Sequence, residues 1–171
     1  MLNGTNMTLD MILPFLGHSE QDPGLADLLA SVGFDVSLMP GRAQRGAGTG
    51  HCELKSLGIE LAFDFHTGYK TRFGMPRDGG KAILSAIFAY DKPNEMRAAY
   101  VGPFPFSRSP IHNRDDALLE FGLPLRTEEE DGIVEWDQWV KDGVQVRTEY
   151  LDDGSLFICT YSVPFIGTAS S

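Results

Sequence analysis

The second part of this chain reads as a tighter rewriting of the first, and that internal repetition constrains the fold more than any single motif. In the first half an apolar, helix-like segment, Leu28-Leu29-Ala30-Ser31-Val32-Gly33-Phe34, stops at Gly33. A strand pair follows, His51 to Leu57 and Ile59 to Phe65, turning at Gly58, and a loop leads to a third strand, Ala82 to Tyr90. The same order then returns: Ala117-Leu118-Leu119-Glu120-Phe121-Gly122-Leu123, Val134 to Val140, a turn at Gly143, Val144 to Leu151, and Leu156 to Val163. The interval from Gly33 to Gly122 is close to that from Gly58 to Gly143. Identities between the copies are few, so the pattern carries the inference. It predicts an α+β fold of two tandem α-β-β-β units, each a helical segment packed on an antiparallel three-stranded meander. The units run over 1–100 and 101–171, packed closely enough to form one domain.

At 171 residues and 42% hydrophobic, the chain can bury a substantial core. No stretch approaches the roughly 20 apolar residues of a membrane span. Met1 to Asp22 contains no Lys or Arg, so a secretory n-region is missing, and no Cys follows an early apolar stretch as in a lipoprotein. The expected location is the cytoplasm, with no membrane contact. Cys52 and Cys159 are too few for a disulfide framework and read as two buried small hydrophobes, with a disulfide or reactive thiol as the alternative.

The net charge of −10 is unevenly placed. Residues 1–112 hold 10 basic and 11 acidic side chains, whereas 113–171 hold 4 basic and 13 acidic, a balance of −9. Such an acidic second half argues against nucleic-acid binding through phosphates. It favours a basic protein partner, since solubility alone needs no asymmetry.

Along the chain, Pro14 limits a short helix after Thr8, and Asp22-Pro23 opens a better one, with Asp22 as N-cap and Gly33 at the C-terminal cap. Pro40 to Gly50 reads as a flexible loop. It is a poor phosphate cradle, without the Lys-Ser/Thr ending of a P-loop. Ile59 to Phe65 alternates like a half-buried strand, and Tyr69 to Gly80 reads as a loop carrying Lys70, Arg72 and Arg77. In the second half Asn113 is a plausible N-cap with Asp115 and Asp116 in the first turn. Glu128-Glu129-Glu130-Asp131-Gly132 reads as an exposed acidic loop, and Asp142-Gly143 as a two-residue hairpin turn. Parity places Val134, Trp136, Gln138 and Val140, with Val144, Val146, Thr148 and Tyr150, on a core face. The other face holds Glu135, Asp137 and Trp139 with Gln145, Arg147 and Glu149. That face suits a binding surface anchored by Trp139; the alternative is a solvated face with Trp139 covered by the other copy.

Chemistry-bearing constellations are scarce. His18, His51, His66 and His112 are scattered, and His51 and Cys52, as successive strand residues, point to opposite faces. Asp64 and His66 share a face and are the one pair that a second-half carboxylate could complete into a metal site. There is no G-x-S-x-G elbow, His-Glu-x-x-His or Cys-x-x-Cys. No catalytic residue, metal or cofactor is expected, and the chain is read as not an enzyme.

Several stretches carry a resemblance: Gly102-Pro103-Phe104-Pro105-Phe106, Arg114-Asp115-Asp116-Ala117 through Pro124, Trp136-Asp137-Gln138-Trp139, Val144 through Tyr150, and Asp152-Asp153-Gly154-Ser155-Leu156. Together they resemble the helix-then-meander unit of the BLIP/SmpA-like fold, found in β-lactamase inhibitor proteins and small outer-membrane assembly lipoproteins. A tandem version is similar to immunity proteins that bacteria encode beside polymorphic or type VI-secreted toxins. The resemblance implies a protein that binds and neutralises a cognate toxin, such as a nuclease with a basic cleft. The expected contact residues are Glu128, Glu129, Glu130, Asp131, Glu135, Asp137, Trp139, Asp142, Asp152 and Asp153. The alternatives are an assembly scaffold, or a small enzyme or ligand binder with a site between the two units.

Overall fold

The computed structural model describes residues 7–166, so the outermost residues of both expected units, 1–6 and 167–171, lie outside the described residues. Three strands of the first half, β1 (Thr49–Leu54), β2 (Ile59–Phe65) and β3 (Ala82–Tyr90), form an antiparallel meander. Its first turn needs Gly58. The backbone there has φ +69°, and a Cβ would lie 2.4 Å from the amide nitrogen of Tyr100. Four more strands, β4 (Arg126–Glu130), β5 (Ile133–Lys141), β6 (Val144–Tyr150) and β7 (Leu156–Ser162), form a second antiparallel meander. Because β3 also pairs antiparallel with β7, the two merge into one seven-stranded sheet of order β1-β2-β3-β7-β6-β5-β4. The fold is α+β, with a larger sheet than two three-stranded meanders.

One face of the sheet is the core. Its side chains include Cys52, Leu61 and Phe63 from the first strands, Ile87 and Ala89 from β3, and Cys159, Tyr161, Val146 and Trp139 from the second meander. Helices α1 (Leu9–Ile12), α2 (Pro23–Ala30), α3 (Met39–Arg45) and α5 (Arg114–Phe121) contribute Leu9, Ile12, Leu25, Leu29, Met39, Ala117 and Phe121 to the same cluster. Among the described residues no helix is long and apolar enough to cross a membrane. The opposite face carries the partly exposed Phe88, Tyr90, Trp136, Arg147 and Glu149.

The helix starts follow the capping logic of the sequence. Asp22 accepts a hydrogen bond from the Leu25 amide at 3.0 Å, with Pro23 at the first helical position. Asn113 accepts from the Asp116 amide at 2.8 Å. Two expected loops are helical instead. Met39–Arg45 is α3: Pro40 is tolerated in a first turn, Ala43 is buried, and Arg42 and Arg45 sit in the last turn, where cations oppose the carbonyl dipoles. His66–Phe73 is α4, which turns Tyr69 into the core and stops at Gly74. The first strand also ends at Leu54, and Lys55–Leu57 form a single 3₁₀ turn.

Two further corrections concern the acidic half. Glu128 to Glu130 do not belong to a loop; they lie in β4, an edge strand with all five residues exposed. Asp131 and Gly132, both at positive φ, turn β4 directly into β5, with Glu130 opposite Ile133. Asp142 and Gly143 do the same between β5 and β6, pairing Lys141 with Val144. A two-residue turn makes odd positions of β5 face even positions of β6. Trp139 therefore stands opposite Val146, and Asp137 opposite Thr148, on the core face. The expected assignment of β5 is thus inverted: Trp136, Gln138 and Val140 occupy the outer face.

Trp139 is 2% exposed, its ring 5.1 Å from that of Phe121, and its indole N–H donates to the Gly122 carbonyl at 3.0 Å. Trp139→Ala should lower stability by about 3–5 kcal/mol through the cavity and the lost donor, read from urea unfolding at neutral pH. A loss below about 1 kcal/mol would mean that α5 does not depend on this contact.

Candidate functional site

The ten acidic and aromatic residues expected at a binding surface separate into two groups. Asp137 and Trp139 are withdrawn from solvent by the hairpin register and are not surface contacts. Asp137, 0% exposed, accepts two hydrogen bonds from Arg114, at 2.8 and 3.2 Å. It also accepts from the Thr127 hydroxyl at 2.5 Å and the Tyr150 hydroxyl at 2.8 Å. Burial opposes its charge, but these donors and the Arg114 guanidinium together hold its carboxyl below the usual range. The network fastens α5 to the sheet and occupies the Asp137 carboxylate with four hydrogen bonds.

Glu128, Glu129, Glu130, Asp131, Glu135, Asp142, Asp152 and Asp153 are all exposed. Asp153 is occupied locally: it accepts from the Ser155 amide and hydroxyl, which lower its carboxyl pKa. The side chains of the other seven make no hydrogen bond or ion pair among the described residues. They are gathered by turns and bulges. Residue 135 is the extra residue of a β-bulge, since Glu128 pairs with Trp136 and Glu129 with Val134. Phe157 is the extra residue of a second bulge, since Glu149 pairs with Ile158 and Tyr150 with Leu156. Bulges re-aim side chains. Here they help to shape a concavity of about 420 Å³ whose lining includes the carboxylates of Glu130, Asp131, Glu135, Glu149 and Asp152 and the rings of Trp136, Tyr150 and Phe157.

Three of those residues, Trp136, Tyr150 and Phe157, were not expected at the site, and Glu149 was placed on the expected binding face but not among the contact residues. Trp136 was assigned to the core by the inverted parity. On the outer face it carries the Arg147 guanidinium at 4.1 Å from its ring centroid, and Arg147 donates to Gln138 at 3.0 Å. Glu149 is partly buried and has only Arg147 as an electrostatic partner; burial pushes its carboxyl up from the ordinary value. The signal that would have placed Trp136 is the two-residue closure at Asp142-Gly143, which pairs Lys141 with Val144 and so sets even β5 positions on the outer face; Asp131-Gly132, the same turn chemistry, marks β4 as a strand.

The remaining candidates are structural. Asp64 is buried, accepting from the Thr49 hydroxyl at 2.6 Å and from the Arg72 guanidinium, while His66 stacks on Phe65. His51 points outward to Glu60 at 2.8 Å, and its neighbour Cys52 points into the core. Both cysteines are buried free thiols, each pushed up to about 12 by burial. His18, Asp22 and Asp78 lie together, but the two carboxylates already accept backbone amides, Asp22 from Leu25 and Asp78 from Ser19 and Gly80.

No protein-family model, no curated protein and no solved structure matches the chain. The functional reading therefore stands on its own geometry.

Asp137 and Glu149 should titrate with opposite consequences. The folded pKa of Asp137 is depressed, so its contribution is complete above the ordinary carboxylate range and is lost as pH falls through the folded value. Asp137→Ala, which strands Arg114, should cost about 3–5 kcal/mol at pH 7 and progressively less in acid, measured by denaturant unfolding across pH. The folded pKa of Glu149 is raised, so its ionisation works against folding at neutral pH. Glu149→Gln should raise Tm at pH 7, an advantage that fades as pH falls below the ordinary glutamate range. Calorimetric scans at both ends of that range check it; an unchanged or lower Tm at pH 7 would contradict the burial of that charge.

Proposed function

We propose that this chain is an immunity- or inhibitor-type binding protein that neutralises a cognate toxin through the acidic surface of its second half. The observation that carries the reading is the set of seven exposed carboxylates without cationic partners among the described residues, several of them lining a concavity together with Trp136, Tyr150 and Phe157. Surface acids in a neutral setting normally find lysines or arginines nearby. A patch left uncompensated projects a negative field beyond the surface, and such a field accelerates encounter with a basic partner by one to three orders of magnitude. A nuclease that grips phosphates presents such a basic cleft. Fast capture is what protection against a toxin requires.

The same proposal includes descent from a doubled unit. Counting outward from the β3–β7 pair, the strands run β3, β2, β1 on one side and β7, β6, β5 on the other, which supports that reading. In it, β4 is an addition to the second copy, and it is the addition that carries Glu128, Glu129 and Glu130. The β4 edge is negatively charged, so it resists pairing with a second copy while remaining attractive to basic surfaces.

Replacing Glu128, Glu129 and Glu130 by Lys tests the account against the product of the gene encoded beside this one. The expected outcome is an association rate at least about tenfold slower at low ionic strength, converging on the wild-type rate in high salt, with Tm unchanged. An equal on-rate at low salt would remove electrostatic capture, and failure of the wild-type chain to bind or protect would remove the inhibitor reading itself.

A further inference from the structure

A second cavity, of about 410 Å³, opens between the two halves at the end of the sheet that carries the β5–β6 turn. Its walls are mixed, with Leu16, Phe73, Phe106 and Val144 on the apolar side and Tyr69, Arg77, Asp142 and Ser162 on the polar side, and its volume falls in the range of small-molecule sites. Two polar groups among its lining residues stand out. Tyr69 is 1% exposed, yet its hydroxyl has no hydrogen-bond partner among the described residues. Arg77 makes no ion pair or side-chain hydrogen bond among them either; its backbone amide alone is engaged, donating to the Gly17 carbonyl at 2.8 Å.

Gly17 brings these two together. A Cβ on this residue, whose φ is +86°, would lie 3.2 Å from the Arg77 Cγ and 3.4 Å from the Tyr69 hydroxyl oxygen. The phenol and the stem of the arginine thus flank one backbone position, and the Arg77 charge acts on the Tyr69 hydroxyl strongly enough to offset part of the rise that burial causes. The hydroxyl oxygen itself is not fully enclosed, so it keeps solvent access and is free to donate to a bound acceptor. A donor and a cation beside apolar side chains are complementary to an acceptor that is anionic at one end and apolar at the other. An amine in the same place would meet like charge.

We propose that this cavity binds a small apolar carboxylic acid, its carboxylate pairing with Arg77 and accepting from the Tyr69 hydroxyl, its hydrocarbon body against Phe73 and Phe106. Asp142, the anionic residue of the lining, comes from the β5–β6 turn and is exposed; it disfavours the reversed orientation, with the carboxylate towards that turn. This site meets the acidic surface only at Asp142 and uses none of the β4 carboxylates, and nothing in it requires a protein partner.

The test uses the full chain and 3-phenylpropanoate, with its methyl ester and 3-phenylpropylamine as controls, followed by calorimetry and by ligand-observed NMR. The acid should bind saturably at one site, and the ester and amine should bind at least about tenfold more weakly. Arg77→Gln, a change at an exposed position, should weaken acid binding about tenfold or more. Tyr69→Phe keeps the ring in place and should weaken it severalfold, with Tm within the wild-type range. Absence of saturable binding, equal binding of the ester, or an unchanged affinity in Arg77→Gln would each overturn the assignment.

Discussion

The pairing of β3 with β7 is the interaction on which the rest of the molecule depends. Five residue pairs, from Ala86 opposite Ser162 to Tyr90 opposite Ile158, turn two separate meanders into one sheet. On the core side, Ile87 meets Tyr161 and Ala89 meets Cys159, all fully buried. Without that ladder each meander would expose two edges, and the core residues of the two halves would not share one sheet face. With it β1 and β4 remain as edges. They are protected differently: on β1 the His51 carbonyl accepts from Arg42 of α3 at 3.2 Å, and on β4 the protection is charge, beside a bulge in the neighbouring β5.

Much of this was legible from residue types that have a local meaning. Asp22-Pro23 and Asn113 mark helix starts because a side-chain oxygen must satisfy an orphan amide, and both do so. Gly58 marks a turn because nothing larger fits there. The strands of the first half were legible from alternation, since Leu61 and Phe63 face one way whatever the tertiary context. What escaped was decided by register. Asp142-Gly143 was recognised as a turn, but a hairpin that closes on two residues pairs Lys141 with Val144, not Val140 with Val144, and that single step exchanges the faces of β5. Helix α3 escaped because Pro40 and Gly41 read as breakers; the good helix formers Arg42, Ala43, Gln44 and Arg45 and the burial of Met39 and Ala43 override them. The pairing of β3 with β7 has no local signal at all.

The exchange of faces explains why the candidate site was only partly visible. Asp137 and Glu135 are two apart in a strand that alternates, and would ordinarily share a face. The bulge at Glu135 breaks the alternation, sending Glu135 to the concavity while Asp137 faces the core. One carboxylate is neutralised by Arg114, Thr127 and Tyr150 and holds the fold together; the other is unpaired in water. Asp137 and Arg114 cancel each other within the −9 of the second half, so withdrawing the pair into the fold leaves 3 basic and 12 acidic side chains and the same net charge for the rest. The outward field comes from the β4 edge and the turns.

Trp136 and Glu149 show that this surface carries a cost to stability. A tryptophan on the outer face, stacked on one side by Arg147, and a glutamate whose ionisation is opposed by its burial are both arrangements that folding alone would not favour. They are adjacent, Trp136 being opposite Glu149 across the β5–β6 ladder. Arg147 reconciles them in the isolated chain, covering the ring and partly compensating the carboxylate. A basic group arriving from outside could do the same for the rest of the concavity, where Glu130, Asp131, Glu135 and Asp152 have no such compensation. Within the proposed function, Arg147 is then a template for the partner: it shows, inside one molecule, the combination of stacking and charge that the rest of the surface leaves unfilled.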